Sequence, residues 1–223
     1  MSDLDRAYYS RLVTHEELVG RMKPGDALSF GTWMGQPHGV MRALVRHGRH
    51  LDPLYVFTSP ASDVGELLAL PNVHCVSSFL GPAERAAQRD QGNVSYIPMQ
   101  YTDAYKAVQT NRPADFYLVR AAPMDQRGFF NLSLSASWQS GALRWLPRNA
   151  PDARIVVEVN RHLPRVRGLP QFGSHEISVE DVHFIVEDHT PLQDYGAPEA
   201  GATATDRAIA ANVAALIEDR ATI

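Results

Sequence analysis

The sequence is poor in the features that would settle its class quickly. It has one cysteine, Cys75, in 223 residues, so no internal disulfide can hold it together. The setting Val73-His74-Cys75-Val76 reads as a buried, reduced thiol of a cytoplasmic protein. No apolar run approaches the ~20 residues of a membrane helix, and Met1 to Tyr9 is polar and charged, without the apolar centre of a signal segment. There is no basic excess: 21 Lys and Arg stand against 25 Asp and Glu, for a net charge of −4. The basic residues are scattered, which argues against a nucleic-acid surface. No phosphate-loop signature occurs, Gly31 to Gly39 does not fit Gly-x-Gly-x-x-Gly, and no Gly-x-Ser-x-Gly elbow is present. Nine histidines form no metal signature. His47 and His50 share a helix face but lack a third ligand, so no metal is expected.

What remains is an ordinary globular composition, 44% hydrophobic and 21% charged, long enough for one sizeable core. Thr14-His15-Glu16-Glu17 is a capping box that opens a helix through Leu18, Val19 and Met22. Strands are expected at Ala27 to Phe30, Leu54 to Thr58, Val73 to Val76, Val94 to Pro98, Asp115 to Arg120, Phe129 to Ser135, Arg154 to Val159 and Val182 to Val186. Between them fall helices from about Val40 to Gly48, from an Asp63 cap through Leu70, from Pro82 to Gln88 and from Thr102 to Thr110. Trp138, Ala142 and Trp145 lie at helical spacing before Pro147, with the tryptophans read as core anchors. This alternation predicts an open, largely parallel sheet with helices on both faces. Residues 191–203 read as a linker. Beyond it Thr205 would cap an amphipathic helix carrying Ile209, Val213, Leu216 and Ile217.

The stretch Phe30 to Val40 (Phe-Gly-Thr-Trp-Met-Gly-Gln-Pro-His-Gly-Val) has the order strand, glycine loop, helix. Gly31 and Gly35 permit positive φ or close backbone approach, and Pro37 suits a first helical turn. The helix terminus would offer N–H groups to an anion. A bare tight connection explains the same residues. Ligands of such sheets bind beyond the carboxyl ends of the strands, so Phe30-Gly31, Arg120 to Met124 and Val159-Asn160 would share one rim. Glu158 is a carboxylate inside an apolar strand, open to two readings, a hydrogen-bonded structural group or a nucleophile or base.

Several segments, in order, resemble the acetyl-CoA hydrolase/transferase family, which includes 4-hydroxybutyrate CoA-transferases. They are Lys23-Pro24-Gly25-Asp26 with Gly31 to Pro37, and Tyr96-Ile97-Pro98-Met99. Ala122 to Phe130 follows, then Val157-Glu158-Val159-Asn160 with Pro164-Arg165 and Gly168, and His175 to Leu192. The sequence departs at Thr32 and Trp33, where many members carry smaller residues, at Arg127, where histidine is common, and at Arg161-His162-Leu163.

The resemblance implies an α/β three-layer domain of CoA-transferase type over residues 1–190. Residues 204–223 would be the first helix of a C-terminal domain, since family members are about twice as long at ~100–200 residues per domain. It implies transfer of CoA between short-chain carboxylic acids, or to water, through a glutamyl-CoA thioester. The nucleophilic glutamate would lie in the absent half or on a second chain, with no catalytic side chain here. Gly31, Gly35 and Gln36 are the oxyanion or pocket candidates. Trp33, Pro37, Met124 and Asn160 are candidate substrate contacts, and Arg165, in a loop with Arg161 and Arg167, is a candidate for a CoA phosphate. Expected partners are acyl-CoA, a short-chain carboxylate and the missing domain, with a possible homodimer. Two rivals stay open: a stand-alone sugar-phosphate isomerase-like enzyme that uses Glu158, and a non-catalytic binding or scaffold subunit pairing through the Ile209–Ile217 stripe.

Overall fold

The computed structural model describes residues 1–58, 64–101, 113–137, 139–169, 174–192 and 201–222. Nine strands are seen among them: β1 (Ala27–Phe30), β2 (Leu54–Thr58), β3 (Val73–Ser77), β4 (Val94–Tyr96), β5 (Phe116–Ala121), β6 (Phe129–Asn131), β7 (Arg154–Val159), β8 (Glu176–Ser178) and β9 (Phe184–Glu187). Seven form one sheet in the order β4-β3-β2-β1-β5-β7-β9, and every pairing in it is parallel. Strand β6 pairs with β8 in a small antiparallel ribbon.

The parallel sheet follows from its sequence. Strands covered on both sides by helices are largely apolar, and Phe-Tyr-Leu-Val-Arg-Ala of β5, with Arg120 its one charge, is buried at every position. Alternate side chains of β5 and β7 point to opposite faces. Phe116, Leu118 and Val156 join one core cluster with Leu18, Val40 and Leu44. Tyr117, Val119, Ile155, Val157 and Val159 join the other, with Leu143 and Leu146.

The α-helices among the described residues are α1 (Asp3–Arg11), α2 (His15–Val19), α3 (His38–His47), α4 (Gly65–Leu68), α5 (Pro82–Gln91), α6 (Gln139–Asn149) and α7 (Ala204–Ala214). The expected capping box opens α2: the Glu17 N–H donates to Thr14 Oγ1, and the Thr14 N–H to the Glu17 carboxylate. Helix α5 ends at Gly92 in the left-handed conformation, φ 70°, which glycine adopts without a Cβ clash. No described helix is long and apolar enough to cross a membrane.

Several expectations need correction. Helix α1 was not anticipated, because its sequence is largely polar; it buries only the side of Leu4, Ala7 and Tyr8. The stretch Phe129 to Ser135 is a strand only to Asn131, after which Ser133–Ser135 is a 3-10 turn with Ser133 at φ 55°. Pro147 lies inside α6. Thr203, not Thr205, caps α7, because Asp206 three residues on completes the capping box. That helix ends at Ala214, leaving Leu216 and Ile217 beyond it, and alanines around its circumference blur the expected apolar stripe. The proposed Asp63 cap, the helix at 102–110, Trp138 and most of the linker lie outside the described residues. Met1–Pro191 forms one compact unit and Leu192–Ile223 a second.

Candidate functional site

Strand order reverses at β1: β2 and β3 follow on one side, and β5, β7 and β9 on the other. The connections therefore leave in opposite directions at the carboxyl ends of β1 and β5, opening the crevice where ligands of such sheets bind. The glycine loop leaves β1 at this point. The Gly31 N–H donates to the Leu118 carbonyl of β5 at 2.9 Å, which continues the sheet ladder by one residue. The chain then turns through a 3-10 segment at Trp33–Gly35 and enters α3.

Neither Gly31 nor Gly35 has a positive φ. Trp33 does, at 48°, a conformation uncommon for a large side chain and one associated with functional loops. Gly31 is needed for space: a Cβ there would overlap the Gly35 carbonyl oxygen and stand 2.7 Å from Gln139 Nε2. Thr32, Gln36 and Gln139 are buried, while the Trp33 side chain is 46% exposed. The loop's N–H groups are largely committed. Gly35 donates to Thr32 O at 2.8 Å, Gln36 to Trp33 O at 3.0 Å and His38 to Gln36 O at 3.0 Å. Pro37 is the N-cap of α3 rather than part of its first turn, and no side chain of the loop caps that helix.

The cap comes from another strand. The Val40 N–H donates to Glu158 Oε2 at 2.9 Å. Glu158 is fully buried on β7, and its Oε1 lies 3.4 Å from Nε of the equally buried Arg120 on β5. These residues are register partners in the β5–β7 pairing. His15 Nε2 of α2 is 3.6 Å from Glu158 Oε2. Arg120 Nη2 also stands 3.9 Å from Asp188 Oδ2, and Arg42 of α3 donates to that oxygen at 2.7 Å. The other Asp188 oxygen accepts from the Thr190 hydroxyl at 2.6 Å and its N–H at 3.1 Å. Burial would push the Asp188 carboxyl up, but Thr190 and Arg42 outweigh it and hold it below the ordinary carboxylate value. Gly39 admits this crowding, since a Cβ there would overlap His15 Nε2 and stand 2.8 Å from Glu158 Oε2.

Asn160 closes the same rim. Its Nδ2 donates to the carbonyls of Asp188 and Thr190 at 2.6 and 2.8 Å, and its Oδ1 accepts the His162 N–H at 2.8 Å. The side chain thus ties the ends of β7 and β9 together. Met124 lines a different crevice of about 300 Å³, on the α1 side of the sheet, with Tyr8, Tyr9, Val159, Arg161 and Glu187. No residue of the loop 31–37 lines it. There the Tyr8 hydroxyl donates to Glu187 Oε1 at 2.5 Å. Arg165 donates to the Pro123 carbonyl and the Asp125 carboxylate, both at 3.0 Å, and to Glu176 at 3.2 Å. Arg127 shares these two carboxylates.

The structure therefore gathers Gly31, Trp33, Gly35, Gln36 and Pro37 in one loop, with Asn160 on the same rim, while Met124 and Arg165 stand apart from the loop. Sequence reasoning placed Arg120 on the rim without giving it a role, and it missed Asp188, Gly39 and Gln139. One signal was available: Arg120 and Glu158 are opposite charges near the carboxyl ends of two strands whose buried positions are otherwise uncharged.

Comparison with known proteins adds the lineage of this arrangement. The profile of the acetyl-CoA hydrolase/transferase N-terminal domain matches residues 2–192. The 4-hydroxybutyrate coenzyme A transferase of Clostridium kluyveri is 27% identical over 98% of this chain and 49% of its own length. The butyryl-CoA:acetate CoA-transferase of Anaerostipes caccae is 29% identical over 91% of this chain and 44% of its own. The crystal structure of RipA from Yersinia pestis superposes with a TM-score of 0.84 at 28% identity, covering 98% of this chain and 51% of RipA. The chain spans about half the length of the curated relatives it matches.

Proposed function

The chain belongs to the acetyl-CoA hydrolase/transferase family, whose N-terminal domain it matches, and on that premise we propose that it forms one wall of a site that transfers CoA from an acyl-CoA to a short-chain carboxylate or to water. The observation that carries the reading is the loop Gly31–Pro37 at the point where strand order reverses.

In this reading a glutamate attacks the thioester carbonyl, giving an acyl-glutamyl anhydride and releasing CoA as a thiolate. The thiolate returns to the glutamyl carbonyl, freeing the first acid and leaving a glutamyl-CoA thioester. An incoming carboxylate, or water, then completes the exchange. Gly31, Gly35 and Gln36 shape the pocket wall, since their own N–H groups already have acceptors. Trp33, exposed on the loop, presents apolar surface to the acyl group, whereas Pro37 is buried and makes no direct contact. Arg165 would reach a CoA phosphate only by giving up Asp125 and Glu176.

The nucleophile is proposed to come from residues outside this chain. Glu158 is poorly suited to the role: it has no exposed surface, and it already holds the Val40 N–H and faces Arg120. The purified chain, mixed with acetyl-CoA and butyrate, is expected to give no butyryl-CoA and no free CoA above background. Addition of a polypeptide carrying the family's second half should restore turnover. Turnover by the chain alone that disappears in Glu158→Gln would falsify this assignment.

A further inference from the structure

Helix α3 directly follows the glycine loop, and its N-terminus has no side-chain cap from the local sequence. Pro37 at the N-cap has no side-chain acceptor. The free N–H groups and partial positive charge of a helix start attract an anion. An anion is already there: Glu158, delivered from β7, accepts the Val40 N–H with the carboxylate wholly inside the protein. Arg120 from β5 and His15 from α2 flank it, and Asp188 and Arg42 complete the charged groups around it. Gly39 leaves the room for this approach.

We propose that Glu158 is the built-in anion of α3, a positioning residue that replaces a local N-cap and fixes where the helix, and so the loop 31–37, stands on the rim. Two consequences follow. The α3 terminus is not open to a substrate anion, because the protein occupies it. The charge at 158 acts through geometry, and no bond to it is made or broken. The link to catalysis rests on the function proposed above; the contact and its test do not.

Glu158→Ala removes a CH2–COO⁻ group, the shape of acetate, and leaves Val40 N–H, Arg120 and His15 facing the space. Thermal unfolding of the full chain is to be followed at pH 7 in sodium acetate and in sodium chloride of equal ionic strength. The variant should melt roughly 5–15 °C below the wild type in chloride. Acetate should recover at least roughly a third of that loss, saturably, by binding the folded state. The acetate effect on the wild type is subtracted. That effect combines acetate's general stabilisation of folded proteins with any binding at the proposed carboxylate pocket, and subtracting both lets the two readings fail separately.

Glu158→Gln, which fills the same space, should show no acetate rescue, and its Val40 amide should exchange with solvent about tenfold faster relative to that of Val157. A folded Ala variant that acetate does not rescue overturns the proposal. If the Ala variant does not fold, the Gln variant decides: a Val40 amide exchanging no faster than in the wild type, relative to Val157, overturns it equally.

Discussion

At Gly31 the backbone angle is unremarkable and the constraint is room. An added Cβ would press on the Gly35 carbonyl, a backbone group that cannot withdraw without opening the loop, and would displace the end of the buried Gln139 side chain. Gly31→Ala should therefore lose about 1–3 kcal/mol, the usual range for overpacking a tight site, in urea unfolding followed by circular dichroism. Gly20→Ala serves as its control, because φ there is −65° and the nearest atoms lie 3.5 Å away. That variant should be unchanged or gain less than about 1 kcal/mol. The sequence marked Gly31 on two grounds, positive φ and close approach of the backbone to a ligand; the first does not hold, and the close neighbours are Gly35 and Gln139. The strained residue is Trp33, and nothing in the identity of a tryptophan announces a positive φ. Glu158 was conspicuous in the sequence as a charge within an apolar run. Its partner Arg120 was equally so, but only the β5–β7 register brings the two together.

The strands of the parallel sheet were legible because each is a short β-rich run, and the central β5 and β7 are buried on both faces. Short or polar elements were less so. Strand β8 has three residues, and α1 draws its place from partners far along the chain: Arg11 donates to the Val182 carbonyl and Tyr8 to Glu187. The edge contact between β7 and β9 carries a pH dependence of its own. The Ile155 N–H donates to His183 Nδ1 at 3.1 Å, a bond that protonation of that nitrogen removes. Burial, and then the charges of Arg154 and Arg11, lower the His183 pKa from its ordinary 6.5. The unfolded chain therefore binds this proton more readily than the folded one, so stability rises with pH. The contribution is complete above pH 6.5 and is lost as pH falls from there through the folded value. His183→Gln, which can still accept from Ile155, should flatten the stability profile between about pH 7 and 5. Urea midpoints at several pH values would check this, and an unchanged slope would reject it.

On the scale of the whole molecule, the family profile covers residues 2–192 and the contacts of the chain divide at Pro191. The core clusters draw all their buried members from the first unit, from Leu18 to Val186. A protein ending at Pro191 should therefore fold by itself. Its urea midpoint should stay within about 0.5 kcal/mol of stability of the full chain, as expected when no core contact is lost. A loss of several kcal/mol would show that residues 192–223 support the sheet. The strand order, with its reversal at β1 and β5, was not readable from the sequence. Seven similar apolar runs can be arranged in many orders, and the choice rests on which crossovers pack their helices.

By itself the sequence determined the class of the fold, the number and placement of most strands, the capping box before α2 and the family. Each depends on local composition or on residues in fixed order, and local preferences survive without knowledge of neighbours. Only the tertiary structure decided which strands meet, and with that everything that depends on meeting. It paired Arg120 with Glu158 and spent the α3 terminus on a carboxylate 118 positions away. It also put Met124, which the sequence had set on the same rim as the loop, in a separate crevice. Those contacts join residues whose separation along the chain says nothing about distance, and they are fixed by the registers of β5, β7 and β9.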